Sequence, residues 1–159
     1  MYLEDLEKLC KKLREANEKI FITIESNGTY IGNFVRHVNL MSISPKLKSS
    51  VPYDSAFEKM HERSRLNFEA FKQYNKLKEK KKIDIQWKFV FTGMDDIEEI
   101  KTLQKKIGFR NEDVYLMPEG ITKSDLDRTR EDAVNACMKT GFNYTDRIHI
   151  LIWGNKRGT

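Results

Sequence analysis

The chain has 159 residues, 39% of them hydrophobic and 33% charged, with a formal net charge of +5. That length supports one domain with its own core, and no apolar run approaches the roughly 20 residues that span a bilayer. The two cysteines, Cys10 and Cys137, form neither a disulfide framework nor the closely placed set of about three or more thiolates that an iron–sulfur cluster takes, so a reducing cytoplasm is the expected location.

Met1 to Leu9 is amphipathic and acidic, without the basic and apolar regions of a signal peptide. Leu3, Leu6, Leu9, Cys10, Leu13 and Ala16 recur at three- and four-residue spacing, which predicts a helix over 3–18. The β-branched and aromatic run 20–25 predicts a strand, broken by Ser26, Asn27, Gly28 and Thr29. A short helical or irregular piece over 31–35 leads to a second strand over 38–43, stopped by Pro45. Phe57, Met60, His61, Leu66, Phe68, Phe71, Tyr74 and Leu77 keep a loose helical period over 54–80, the longest helix predicted. A third strand covers 85–91. Asp95 and Asp96 open a helix that ends before Gly108. A fourth strand over 114–117 is stopped by Pro118 and Gly120, and Ser124 or Asp125 caps a helix that runs to Lys139 and ends at Gly141. The apolar run 148–153 reads as a fifth strand.

Strand–helix units closed by a strand predict an α/β fold with a mainly parallel sheet and right-handed crossovers. Five strands are too few for an eight-stranded barrel, so an open or partial (β/α) barrel in one domain over 1–159 is expected. Ligand chemistry in such folds sits at the strand ends. Much of the positive excess lies in Lys76 to Lys82, a run most simply read as a solvated helix end, which disfavours a nucleic-acid partner. His37 and His61 have no acidic or cysteine partner at ligand spacing, and His149 reads as a core or surface residue. No P-loop, dinucleotide fingerprint or Ser-His-Asp order is present.

Five motifs occur in one order: Ile24 to Thr29 (Ile-Glu-Ser-Asn-Gly-Thr), Ile43 to Leu47 (Ile-Ser-Pro-Lys-Leu), Trp87 to Val90 (Trp-Lys-Phe-Val), Leu116 to Gly120 (Leu-Met-Pro-Glu-Gly), and Arg147 to Thr159 with its Trp-Gly-Asn-Lys-Arg-Gly. Together they resemble the C-terminal two-thirds of the 7-carboxy-7-deazaguanine synthases, radical S-adenosylmethionine enzymes of 7-deazapurine (preQ0, queuosine) biosynthesis. The resemblance implies a partial radical-SAM barrel and ring contraction of 6-carboxytetrahydropterin, with S-adenosylmethionine, a 4Fe-4S cluster and Mg2+. The family's Cys-x3-Cys-x2-Cys loop, its magnesium-binding threonine and its Gly-Gly-Glu-Pro turn do not occur in these 159 residues. Three explanations compete: a split enzyme whose cluster-bearing N-terminal half is another polypeptide, a truncated or mis-started reading frame, and a degenerate member kept as a non-catalytic protein- or nucleic-acid-binding module. The retained motifs favour the first, and a homodimer stays open.

The resemblance assigns Ser44, Pro45 and Lys46 to S-adenosylmethionine, where a hydroxyl and an ammonium suit a ribose and a carboxylate. It assigns Met117, Pro118, Glu119 and Gly120 to the adenine, with Met117 standing where many members have glutamine. Glu25 lies at the mouth of the first strand. Asn27 either reaches the cofactor or bonds its own turn. Lys88 either pairs with Glu25, meets an anionic substrate, or faces solvent. The resemblance also implies that Thr159 contacts the pterin.

Overall fold

Strand β3 (Asp84–Phe91) carries the architecture. Its alternating sequence puts Ile85, Trp87, Phe89 and Phe91 on one fully covered face and leaves Gln86, Lys88 and Val90 half-buried on the other. A computed structural model describes residues 2–156 of the chain. In it β1 (Thr23–Ser26), β2 (Leu40–Ile43), β3, β4 (Val114–Pro118) and β5 (Asn143–Tyr144) form one sheet in the order β1-β2-β3-β4-β5, every pair parallel. Neighbours in sequence are neighbours in the sheet. Winding therefore proceeds in one direction, as in a barrel, without the reversal of a doubly wound fold. The α/β class and the parallel sheet of the sequence reading hold.

The helices are α1 (Leu3–Ala16), α2 (Glu58–Ser64), α3 (Phe68–Glu79), α4 (Met94–Ile107), α5 (Lys123–Thr140) and α6 (Ile148–Trp153). The core packs between the Trp87 face of the sheet and the helices that cross over it. Trp87 stacks on Phe109 with centroids 4.7 Å apart and meets Phe71 edge-on at 5.7 Å. The glycine stops fall as predicted: Gly108 and Gly141 are left-handed and donate to Gln104 and Cys137 carbonyls.

Ser26 and Pro118, read as stops, are the last residues of β1 and β4, and the other element ends shift slightly; three further readings change more. The helix over 54–80 is two helices, because Asn67 takes an extended conformation and its side chain accepts the Ala70 N–H, starting α3 anew. Thr122 caps α5, with Asp125 as the reciprocal member of a capping box, in place of Ser124 or Asp125 as the cap. The run 148–153 is helix α6, not the fifth strand. The place beside β4 is filled earlier, by Asn143 and Tyr144, and Asn143 Nδ2 donates to the carbonyls of Glu112 and Val114. A continuous apolar run has no period that separates strand from helix. The lysine run closes α3 and the turn after it, and Lys78 pairs with buried Asp113. Among the described residues no helix is long and apolar enough to cross a membrane.

Candidate functional site

The C-terminal ends of all five strands open on the same end of the sheet, because every strand is parallel. After β1, Ser26 Oγ accepts the Gly28 N–H (2.9 Å) and Asn27 Oδ1 accepts the N–H (3.1 Å) and hydroxyl (2.9 Å) of Thr29. The oxygen of Asn27 is thus occupied by its own turn. Gly28 has φ +72°, and a Cβ there would lie 2.4 Å from the Ile43 side chain, so the turn requires glycine. After β2, the Ser44 N–H donates to the Ser26 carbonyl (2.8 Å). Pro45 is buried and Lys46 exposed. The Lys46 carbonyl accepts Arg65 Nη1 (2.9 Å), and the buried Arg65 also holds Glu62 (2.8 Å) and Glu99 (2.7 Å). That hydrogen bond from Arg65 holds the Glu62 carboxyl below its ordinary range.

After β3, Asp96 Oδ2 accepts both the N–H and the hydroxyl of Thr92. After β4, the Glu119 N–H donates to the Phe91 carbonyl (3.0 Å), and the Glu119 carbonyl accepts the Thr129 hydroxyl (3.2 Å). Gly120 (φ +156°) runs against α5, where an added Cβ would lie 2.7 Å from Asp125 Cβ and 2.8 Å from the Leu126 nitrogen. After β5, Asp146 Oδ2 accepts the Tyr144 hydroxyl (2.9 Å) and Arg130 Nε (3.1 Å), while its Oδ1 accepts the Arg147 N–H (2.7 Å). Burial, reinforced by Asp146, pushes the Tyr144 phenol up to about 12.

Two hollows lie among these ends. One, of about 800 Å³, is bordered by Ser44, Pro45, Lys46, Glu119, Gly120 and Arg147, among others. The second, of about 440 Å³, is bordered by Glu25, Asn27, Lys88, Met117, Asp146 and His149, and shares Ser44, Lys46, Val90 and Arg147 with the first. The strand-end residues picked out from sequence therefore converge. Lys88 pairs with Glu25, the first of its three expected fates. Pro118 is the exception: it is buried in the ladder opposite Phe91 and borders neither hollow. Thr159 lies outside the described residues.

The sequence reading missed Arg147, which borders both hollows, and gave His149 no place in the site. Both flank or enter the run mistaken for a strand. The retrievable signal was the pair of polar residues at its start. Neither cysteine borders a hollow, and both are buried, which raises their thiol pKa values. Among the described residues no three His, Cys, Asp or Glu side chains are grouped to hold a metal. The donor set of a 4Fe-4S cluster does not fit this chain.

No protein-family model matches the sequence. Against individual proteins, it is 33% identical over 154 residues to the 7-carboxy-7-deazaguanine synthase of Rhodopirellula baltica, an alignment covering 95% of this chain and 57% of that protein. It is 32% identical over 146 residues to the 7-carboxy-7-deazaguanine synthase of Halobacterium salinarum, covering 84% of this chain and 54% of that one. The chain is homologous to the 7-carboxy-7-deazaguanine synthases. A third such synthase, from Pyrobaculum aerophilum, is 33% identical over 72 residues. The chain spans slightly more than half the length of the first two synthases. Both of those alignments take in most of this chain, so the relation rests on the body of the domain and not on one motif.

Proposed function

We propose that the paired hollows are the ligand-binding part of a 7-carboxy-7-deazaguanine synthase-type radical S-adenosylmethionine site. The larger hollow takes S-adenosylmethionine, through Ser44, Lys46 and the backbone around Glu119 and Gly120. The smaller takes the 6-carboxytetrahydropterin, between Glu25, Lys88 and His149; Met117, which the resemblance gave to the adenine, borders this hollow and not the one that holds Glu119 and Gly120. The cluster and its magnesium are assigned to a segment outside these residues, carried on a second polypeptide. The observation that carries the reading is the meeting of Ser44, Lys46, Met117 and Gly120 around two joined hollows. Those residues lie on two strand ends separated by about half the sequence.

Within this reading the chain's own residues bind and orient. The Ser44 hydroxyl offers a partner to a ribose, and the Lys46 ammonium one to a carboxylate. Met117 supplies a polarizable thioether for an aromatic ring. Lys88 is mostly buried and paired with the more exposed Glu25, so an anionic ligand competes for a charge already held in place. The cluster supplies the reductant when present. Among the described residues no strand pairs with the outer edge of β1, and its backbone groups suit a further strand from the segment that carries the cluster.

Calorimetric titration of the purified chain with S-adenosylmethionine tests the reading. Saturable binding is expected, weakened about tenfold by Lys46→Ala. Absence of saturable binding up to millimolar ligand would overturn it. Co-purification with a polypeptide bearing Cys-x3-Cys-x2-Cys tests the divided arrangement separately.

A further inference from the structure

Arg147 is a cation of this site whose charge meets no acid among the described residues. It borders both hollows, and its Nε is buried with no hydrogen-bond partner. Among the described residues it makes no ion pair. The neighbouring acids do not supply one. Asp146, next in the chain, is taken up by Tyr144, Arg130 and the Arg147 backbone. Glu25 is paired with Lys88, and Asp125 with Arg128 and the start of α5. Glu119 is left, and it is exposed.

An arginine with a buried, unsatisfied N–H carries a desolvation cost that an incoming anion relieves. Its planar fork matches a carboxylate through two parallel hydrogen bonds. The backbone that carries it is fixed, because the Thr145 N–H donates to the Leu116 carbonyl (2.9 Å) and Asp146 is held from three sides. A cation on a held backbone at the seam of two hollows, with a second cation, Lys46, that is unpaired among the described residues and borders the same two, is an arrangement for a charged group at their junction.

We propose that Arg147 is the carboxylate-anchoring residue of this site, clamping a ligand carboxylate where the two hollows meet. The proposal rests on the reading that the hollows take S-adenosylmethionine and a carboxypterin. Each ligand brings one carboxylate, and the shared chemistry is the carboxylate itself.

The test titrates the wild-type chain, Arg147→Gln and Arg147→Lys with four ligands: S-adenosylmethionine, 5′-methylthioadenosine, 6-carboxypterin and unsubstituted pterin. The second and fourth lack the carboxylate. Arg147→Gln is expected to weaken one carboxylated ligand about tenfold or more while its carboxylate-free counterpart stays within about twofold. The ligand that loses affinity identifies the source. Arg147→Lys, which keeps the charge and loses the fork, is expected to fall between, and it carries the test if the glutamine variant does not fold. Equal losses for carboxylated and carboxylate-free ligands, or no loss for either, would overturn the proposal and leave the site reading standing. Failure of the wild-type chain to bind any of the four would overturn both.

Discussion

The two faces of β3 hold opposite kinds of side chain within one strand. Ile85, Trp87, Phe89 and Phe91 are covered, while Gln86, Lys88 and Val90 stay half-open and polar or small on the other side. The first face stabilises the domain; the second faces the half-open side where the strand-end hollows lie. An all-parallel sheet is usually covered on both faces and reads as a continuous apolar run. Here the alternation marks a face the described residues do not cover, and the polar residues on it are positioned by a core they do not enter.

The largest expected effect comes from the covered face. Trp87→Ala removes a fully buried ring that touches Phe71 and Phe109, at a cost of about 3–5 kcal/mol in urea denaturation. An equal loss for Lys88→Ala would break the contrast between the faces. Arg65→Ala comes next, at about 1.5–3 kcal/mol, because the buried guanidinium ties Glu62 and Glu99 to the Lys46 carbonyl. The Glu62 carboxyl is held below its ordinary value, so its contribution is present above about pH 4.3 and lost as pH falls through the lower folded value. The variant should therefore lose less stability than wild type on acidification, by denaturation at stepped pH.

Gly120→Ala is expected to cost about 1–3 kcal/mol, since its Cβ would meet Asp125 and the Leu126 nitrogen at under 3 Å. Thermal unfolding measures it, and a neutral result would show that the turn after β4 yields freely. Lys88→Met sharpens the comparison from the other side. Its partner Glu25 is 63% exposed, so stability should change by less than about 1 kcal/mol while carboxypterin affinity falls.

The smallest effect is alkaline. The Tyr144 phenol titrates later in the fold than in the unfolded chain, so the unfolded state releases its proton first and stability falls between about pH 10 and the folded value of about 12. Tyr144→Phe should flatten that fall. An unchanged profile would remove Tyr144 from the account.

Most of the sheet was legible because its strands carry β-branched and aromatic residues between strong stops: Pro45 after β2, Gly120 after β4, and the glycines that end α4 and α5. The division of the helix over 54–80 was not, because Asn67 fits both a helix surface and a cap, and its Nδ2 bond to the Thr29 carbonyl depends on a loop 38 residues away. The end of the domain was misread at Ile148, where an apolar run looked like the last strand. Of the site, Ser44, Lys46, Met117 and Gly120 were found from their motifs, whereas Arg147 was hidden beside the misassigned run.

Local sequence alone determined the α/β class, the parallel winding and the turn residues at each strand end, because side-chain period, β-branching and the backbone limits of glycine and proline act over a few residues. Tertiary structure alone decided that Asn143 and Tyr144 take the place beside β4, that Lys88 meets Glu25, and that Arg147, between two hollows, meets no counter-charge among the described residues. Those outcomes depend on which groups from distant segments arrive at the same point. A charge is satisfied or left unsatisfied only by its neighbours in space.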